Sequence, residues 1–375
     1  MTSSDSHNDG AATWLSPSAP APGKLGPADD RTTAAAALAR AKQGETLVYR
    51  GDFRNARQLL AAMGRRLSTP RERPARGGDL LAGFRAERQA RRQEHLLLSR
   101  LAVPVEAGLR IPLANAPDVA GALAEALGPA PALPGLLPLR DLQGMIGAQE
   151  WRRRGVDVPA LGARLHPRYG VFAPVRGEHV DLVAEAARRW PVTGRRALDV
   201  GTGTGVLAFV LARAGAAVTA TDLSPAALTS TREDAARLGL ADRVAPLRAD
   251  LFAEGRFDLV VCNPPWLPAE AVTPLDRAIY DPGGAFLAGF LGGLAAHLTP
   301  GGEGWLILSD LAERIGLRRA GEVDAQIAAA GLEVVGGVEA VPSHPRTRDA
   351  ADPLHEARAK EVTSLRRLVP SPRPA

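Results

Sequence analysis

The stretch that most constrains the fold of this sequence runs from Leu259 to Trp266 and reads LVVCNPPW. Its first four residues are apolar, and three of them are branched, which is typical of a buried β-strand. Two consecutive prolines then end the strand, because proline lacks the amide hydrogen that a sheet ladder needs. An asparagine amide, unpaired backbone carbonyls and an indole face are therefore predicted at the end of a sheet. That arrangement can bind a planar, amide-like nitrogen group.

A second motif lies upstream, where a predicted strand from 196 to 200 runs into GTGTG at 201–205, here called the glycine turn. Glycine lets the backbone turn tightly and approach a ligand without a Cβ clash. Dinucleotide-binding folds have a similar turn, but their spacing is G-x-G-x-x-G. Asp222 ends the next predicted strand, where a carboxylate can accept both hydroxyls of a ribose. NAD-dependent enzymes share this device, so these residues alone do not choose between cofactors.

Strands and helices alternate from about residue 166 onward, which predicts a mostly parallel sheet. One helix has clear limits in the sequence, with Ser224 as its N-cap, Pro225 in its first turn and Gly239 just past its end. The other predicted helices are 178–189, 206–215 and 285–297, followed by a turn at 298–302. The other predicted strands are 217–221, 244–248, 257–262, 305–308, 332–338 and 362–368.

Four elements follow one another in order: the glycine turn, Asp222, Asp250 after the third strand, and Asn263-Pro264-Pro265-Trp266, here called the NPPW turn. In this order they resemble class I S-adenosylmethionine-dependent methyltransferases, over residues 166–375. The resemblance implies an α/β fold with a Rossmann-like, seven-stranded, mostly parallel sheet, and S-adenosyl-L-methionine as cofactor. It assigns the cofactor contacts to Phe172, Asp199, Gly201, Gly203, Gly205, Asp222, Leu223, Asp250, Leu251 and Asn263.

The same resemblance implies individual roles for several of these residues. Asp199 is expected to hold the ammonium group of the cofactor, directly or through water. Asp250 is expected to meet the adenine amino group, with Leu251 packing on the ring, although a simple turn aspartate is the alternative interpretation. Phe172 begins the run FAP, which is similar to the entry segment that closes over the cofactor in this family.

The whole NPPW turn, with Asn263, Pro264, Pro265 and Trp266, is predicted to be the catalytic site. Methyl transfer from a sulfonium is an in-line displacement, so the protein mainly aligns nucleophile, methyl and sulfur. The Asn263 side-chain oxygen and the Pro264 carbonyl can accept both hydrogens of a planar amine, which favours the transition state. Trp266 can stack on the flat target. No general base is needed, because the amine proton becomes acidic once the methyl group has added.

Two related groups share Asn-Pro-Pro-aromatic and differ in their target. One methylates exocyclic amines of nucleic-acid bases, and the other methylates the glutamine side-chain amide, as in release-factor glutamine methyltransferases. The second group usually has tyrosine after the prolines and Pro-Arg-Pro-Glu upstream, whereas this chain has Trp266 and PVRGE at 174–178. These departures favour a base in RNA, with ribosomal RNA foremost, and leave protein glutamine as the alternative.

Two other functions give less account of these motifs. A catalytically silent RNA-binding module does not explain why Asn263, Asp222 and the three glycines are all present. A nicotinamide-dependent oxidoreductase gives the NPPW turn no role. Methyl transfer is therefore the favoured activity.

Charge alone gives a weak indication of the partner. The net charge is +5 with a pI near 9.9, and the basic residues are almost all arginine. Ten arginines lie between 65 and 100, as a solvated face or as a surface that contacts phosphates. His344, Arg346 and Arg348, in the connection 342–360, are a further candidate for phosphate or acidic contacts, unless this connection is a solvated loop.

The rest of the chain divides into a tail at 1–30, rich in Ser, Pro, Gly and Asp and predicted to be disordered, and an accessory domain at 31–165. The accessory domain is predicted to be α/β from its opening strand and helix, or else a helical bundle. A single cysteine, Cys262, fits a core residue in a cytoplasmic protein. No apolar run is long enough to span a membrane, and no membrane partner is expected.

Overall fold

The computed structural model describes residues 12–67, 79–128, 131–173, 177–341 and 354–372. The chain folds into two compact units, Met1–Glu72 with Glu87–Glu150, and Arg73–Ala86 with Trp151–Ala375. The boundary after Glu150 lies upstream of the predicted boundary after residue 165. The physical reason is that Val158, Leu161 and Leu165 are buried in the hydrophobic core of the second unit.

The first unit is an α/β structure with a five-stranded sheet in the order β1-β5-β4-β3-β2. Strands β2, β3 and β4 are parallel, β5 is antiparallel to β4, and β1 is parallel to β5. Its elements are β1 (Thr13–Trp14), β2 (Lys24–Ala28), α1 (Ala34–Lys42), β3 (Glu45–Tyr49), α2 (Phe53–Leu67), α3 (Leu80–Leu98, which begins in the second unit), β4 (Leu101–Val105), α4 (Ala120–Leu127), β5 (Gly135–Pro138) and α5 (Leu139–Arg154, which ends in the second unit).

Two expectations for this region are corrected. The alternative of a helical bundle is wrong, because α1 and α2 alternate with strands of one sheet. The expectation of disorder over residues 1–30 is wrong from residue 12 onward, since both Thr13–Trp14 and Lys24–Ala28 are paired strands; residues 1–11 lie outside the described part. Side-chain bonds from Ser16 and Ser18 to the buried Asp141 hold this polar segment in place.

The second unit contains the predicted seven-stranded sheet, in the order β10-β9-β8-β11-β12-β14-β13. All neighbours are parallel except β14, which is antiparallel to both β12 and β13. The predicted Rossmann-like class is therefore confirmed. Its elements are β6 (Val156–Val158), β7 (Ala163–Leu165), α6 (Glu178–Arg189), β8 (Arg196–Val200), α7 (Val206–Arg213), β9 (Ala217–Asp222), α8 (Pro225–Arg237), β10 (Val244–Arg248), β11 (Phe257–Cys262), α9 (Ala285–Leu294), β12 (Leu298–Ser309), α10 (Leu311–Arg314), α11 (Glu322–Ala329), β13 (Leu332–Ala340), α12 (His355–Ala359) and β14 (Thr363–Pro370).

The central strands are buried on both faces, which explains their continuous apolar sequences. On β11, Leu259 and Val261 belong to one core cluster, while Val260 and Cys262 belong to a second cluster. Cys262 is a fully buried core residue, as predicted. Within the described residues, no helix is both long enough and apolar enough to cross a membrane.

Strand β12 is longer than predicted, because it begins at Leu298 and so includes the Thr-Pro-Gly-Gly run that was expected to be a turn. Phe257 pairs with Leu298 and Leu259 pairs with Glu303, so the register shifts between these pairs. An irregularity of this kind accommodates proline and glycine without ending the strand.

Candidate functional site

The glycine turn follows β8 and requires glycine at its last position. Gly201, Gly203 and Gly205 have φ of 70°, 54° and 80°, a region that side chains disfavour. A Cβ on Gly205 would lie 2.7 Å from Thr231 Cγ2 and 2.8 Å from Phe209 Cζ, both in the packed interior. A Cβ on Gly203 would meet nothing within 4 Å, so this part of the turn faces open space.

Asp222 joins the glycine turn to the start of α8. Its Oδ2 accepts the Gly203 N–H at 3.0 Å, and its Oδ1 accepts the Ser224 N–H at 2.8 Å. Ser224 in turn caps α8 by accepting the Ala227 N–H at 3.3 Å, as its position in the sequence predicts. The Asp222 side chain is part-exposed, and each of its carboxylate oxygens keeps a lone pair for a further hydrogen-bond donor. Leu223, the adjacent residue, is largely exposed.

Asp199 lies beneath the glycine turn and is almost wholly buried. Its Oδ2 accepts the Thr202 hydroxyl at 2.6 Å and the Ala208 N–H at 3.2 Å. Burial raises the pKa of Asp199 to about 6, against the opposing effect of these two hydrogen bonds. The protein therefore holds a carboxylate here that is costly to ionise unless a cation comes close.

Asp250 and Leu251 lie in a turn after β10. Asp250 is exposed, and Leu251 adopts a φ of 64°, in the left-handed region. Its carbonyl oxygen accepts the Thr221 hydroxyl at 2.6 Å, which fixes the turn against β9. The next residue, Phe252, stacks on Phe290 with ring centroids 5.9 Å apart. Buried packing therefore holds the turn, while Asp250 stays accessible.

The NPPW turn directly follows β11, and the side-chain oxygen of Asn263 already accepts a hydrogen bond within the turn. The Trp266 indole N–H donates to Asn263 Oδ1 at 2.9 Å. Pro264 is buried, whereas Asn263, Pro265 and Trp266 are part-exposed. Part of the indole packs against both core clusters, so Trp266 is less available as a stacking platform than its sequence position suggests. Asn263 Oδ1 keeps one further lone pair.

The sheet brings the glycine turn and the NPPW turn to the same edge. Cys262 pairs with Val200 in parallel register, so Asn263 and Gly201 leave adjacent strands side by side. The strand order reverses between β8 and β11, and ligands of open α/β sheets bind at the carboxyl ends of strands at such a point. Asp222 ends the next strand, β9, at this edge, and Asp250 follows the end of β10 by two residues.

Comparison with known proteins agrees with this geometry, since residues 169–310 match the family model described as the methyltransferase small domain. This segment is similar to the methyltransferase small domain. The predicted resemblance to class I methyltransferases is thereby confirmed, and S-adenosyl-L-methionine is the cofactor of the class.

Curated relatives extend the match beyond the domain model. The release factor glutamine methyltransferase of Deinococcus radiodurans is 41% identical over 175 residues, which cover 43% of this chain and 59% of the relative. That of Bordetella pertussis is 38% identical over 181 residues, covering 42% and 66%. The ribosomal protein L11 methyltransferase of Symbiobacterium thermophilum is 41% identical over 96 residues, covering 25% and 32%. The chain thus spans less than two thirds of each relative's length.

Asp281 and Phe286 connect the glycine turn to the NPPW turn. The sequence analysis assigned neither residue to the cofactor site or the catalytic site. The backbone N–H of Asp281 donates to the Leu267 carbonyl at 2.8 Å, and its buried carboxylate accepts the N–H groups of Phe286 and Leu287 at 2.9 and 3.1 Å. Phe286 then lies over the glycine turn, 3.1 Å from where a Cβ of Gly201 would be. The start of α9 thereby links both turns. The sequence signal for this link is Asp281 itself, because an aspartate shortly before a helix often binds the first N–H groups of that helix.

The structure describes only some of the remaining residues that the sequence analysis predicted to act at the site. Phe172 is half-buried in the segment before α6, and Pro174, at the end of the FAP run, lies outside the described residues. His344, Arg346 and Arg348 also lie outside them. Strand β13 is antiparallel to β14, which is antiparallel to β12, so β13 runs parallel to β12 and ends at the site edge.

The buried carboxyl of Asp199 predicts a stability that depends on pH. Its pKa of about 6 in the folded protein exceeds the ordinary aspartate pKa of 3.8, so folding favours the protonated form. The protein should therefore lose stability as the pH rises from about 4 to 6, by about 3 kcal/mol in total. In Asp199→Asn this part of the loss should disappear. Urea unfolding of both proteins from pH 4 to pH 7 tests this, and parallel profiles would contradict it.

Proposed function

We propose that this chain transfers a methyl group from S-adenosyl-L-methionine to the side-chain amide nitrogen of a glutamine in a protein. The observation that carries the proposal is the pairing of Cys262 with Val200, because it sets Asn263 beside the glycine turn. A donor at the glycine turn and an acceptor amide at Asn263 would then meet at one sheet edge.

The residues at the glycine turn fit an adenosyl cofactor. Gly203 leaves open space where a side chain would project, and the Asp222 carboxylate stands beside it at the tip of β9. Leu223 and Asp250 are exposed at the same edge and suit an apolar ring with a polar rim. Asp199 supplies a buried negative charge below the turn for an ammonium group.

The chemistry asked of the NPPW turn is to orient and polarise a poor nucleophile. The cofactor supplies a methyl group on a positive sulfur, which keeps the electron pair of the broken carbon–sulfur bond. Asn263 Oδ1 and the Pro264 carbonyl accept the amide hydrogens of the target, so its nitrogen becomes more electron-rich as it attacks. The excess proton then passes from the methylated nitrogen to water. Trp266 holds the Asn263 oxygen in position through its indole N–H.

The choice of a protein glutamine over a nucleic-acid base departs from the target favoured by sequence alone. Three relatives that match over 174 to 181 residues are named as release factor glutamine methyltransferases, and one that matches over 96 residues is named as a ribosomal protein L11 methyltransferase. A glutamine amide and the exocyclic amine of a base both present a planar nitrogen to the NPPW turn. The presence of Trp266 where release-factor methyltransferases usually have tyrosine therefore does not exclude glutamine as the target. An RNA target stays a prediction that these relatives do not support.

The arginine-rich stretch adds little weight to an RNA target. Within its described part, Arg91 pairs with Glu87 on α3, and Arg100 donates to the Thr46 hydroxyl at 3.1 Å. Arg71, Arg73 and Arg76 lie outside the described residues.

The test is a transfer of labelled methyl from S-adenosyl-L-methionine by the purified full chain. Release-factor protein and ribosomal RNA are offered in separate reactions, and both together in a third. We expect label only in the protein, released by protease, with peptide mass spectrometry placing one added methyl on a glutamine. The control replaces the chain by its Asn263→Ala variant. Label released by ribonuclease instead would establish the base as target and contradict the proposal.

A further inference from the structure

Phe286 places an aromatic ring against the first residue of the glycine turn. Its Cζ lies 3.1 Å and its Cε2 lies 3.6 Å from the point where a Cβ of Gly201 would be. Gly201 is exposed and Phe286 is part-exposed, so this corner of the site is open to a ligand. The ring therefore takes the space of a side chain at position 201, and part of it stays accessible.

The start of α9 holds this ring in a fixed position. The buried Asp281 carboxylate accepts the N–H groups of Phe286 and Leu287 at 2.9 and 3.1 Å, and the Asp281 N–H donates to the Leu267 carbonyl at 2.8 Å. The Phe286 side chain also packs against the core cluster that contains Leu287. Because backbone and side chain are both held, little binding energy is spent on ordering the ring when a ligand arrives.

The narrowest gap between the two turns lies beside this ring. Gly201 and Asn263 directly follow Val200 and Cys262, which are paired on adjacent strands about 4.8 Å apart. An in-line displacement needs the sulfur, the methyl group and the target nitrogen in one line. With the target nitrogen at Asn263, the sulfur belongs on the Gly201 side of the gap, where Phe286 lies.

A phenyl ring at this point can distinguish the methyl donor from its product. The donor carries a positive sulfonium, whereas the product of methyl transfer is a neutral thioether. The negative face of an aromatic ring attracts a cation within about 6 Å and has no comparable attraction for a neutral sulfur. Asp199 and Asp222 also attract a positive charge, but each already accepts hydrogen bonds from its own neighbours.

We infer that Phe286 is a specificity residue for the cofactor, whose ring lies against the positive sulfur and favours the methyl donor over the demethylated product. The inference rests on the proposed function only in placing the acceptor nitrogen at Asn263. It does not depend on whether that nitrogen belongs to a glutamine or to a nucleic-acid base.

The test compares the affinities of two ligands and does not involve turnover. Calorimetric titration of the full chain gives one dissociation constant for S-adenosyl-L-methionine and one for S-adenosyl-L-homocysteine. Phe286→Leu keeps an apolar side chain but removes the ring. The constant for the methionine form should rise about three- to fivefold, the effect of one cation–π contact at a part-exposed site. The constant for the homocysteine form should rise by less than about twofold.

The matched control is Phe257→Leu. Phe257 belongs to the same core cluster as the residues that support Phe286, but it lies at the opposite end of β11 from the NPPW turn. Its replacement loosens the core without removing a ring from the site, so both dissociation constants should stay as in wild type. Thermal unfolding of each variant sets a titration temperature at which it is folded. Phe286→Met, which also lacks the ring, should show the same change in preference as Phe286→Leu.

The possible outcomes separate this inference from the proposed function. An equal rise for both ligands in the Phe286 variants would reduce the ring to apolar packing and overturn the inference, and so would no rise for either ligand. A change of preference in Phe257→Leu as large as in Phe286→Leu would assign the effect to the core. A loss of preference in the Phe286 variants, together with methyl label in ribosomal RNA, would refute the glutamine activity and leave the role of Phe286 intact.

Discussion

Asn263→Ala is expected to lower methyl transfer about 10²- to 10³-fold while cofactor affinity stays unchanged, the loss typical of one preorganised polar group that acts on the transition state. Asn263 leaves β11 beside the glycine turn, and its Oδ1 is one of the two acceptors assigned to the target amide. Alanine removes this acceptor and leaves the backbone carbonyl of Pro264. Turnover with labelled cofactor and calorimetry of cofactor binding measure the two quantities.

The control for this variant is Trp266→Phe. Alanine at 263 also deprives the Trp266 indole of its acceptor, which can cost about 1 kcal/mol of stability. Phenylalanine breaks the same hydrogen bond but keeps the Asn263 oxygen. Its turnover should therefore fall only a few-fold, although its thermal stability should resemble that of Asn263→Ala. Near-normal turnover in Asn263→Ala, or an equal loss in both variants, would show that the asparagine oxygen does not take part.

The elements around the site were predictable because their signals are local. Strand β11 combines a run of buried apolar residues with two prolines that end it, and α8 has its cap at Ser224 and its stop at Gly239. The glycine turn is visible because Gly205 has a positive φ and no room for a Cβ. The two prolines, the cap and stop of α8 and the spacing of the glycines can each be read from a short stretch of the chain, although the lack of room at Gly205 also involves the distant Thr231.

Other features depend on contacts between distant residues and left no local signal. Strands β1 and β2 are the edge strands of their sheet; β1 has only two residues and β2 contains a proline. The polar composition around them therefore led to the prediction of a disordered tail. The bond from Trp266 to Asn263 depends on the rotamers of both side chains, which the sequence does not specify. The contact of Phe286 with the glycine turn likewise depends on where Asp281 sets the start of α9.

Asp222→Ala is expected to raise the cofactor dissociation constant by about two orders of magnitude. The carboxylate is assigned to the two ribose hydroxyls, and each hydrogen bond to a charged group contributes about 1.5–3 kcal/mol. It also accepts the N–H groups of Gly203 and Ser224, so its loss loosens the turn that meets the cofactor. Asp222→Asn keeps one acceptor oxygen and should bind with intermediate affinity. Calorimetric titration with S-adenosyl-L-methionine measures the effect.

Asp258→Ala is the matched control for this loss, because it separates ligand binding from general loosening of the sheet. Asp258 also accepts a backbone N–H, that of Arg196 at 2.9 Å, and a hydroxyl, that of Thr299 at 2.8 Å. It lies at the opposite end of β11 from the NPPW turn, so its removal should lower thermal stability without changing cofactor affinity. A comparable rise in the dissociation constant of both variants would mean that Asp222 supports the fold and does not bind ribose. An unchanged constant in Asp222→Ala would remove the ribose contact from this site.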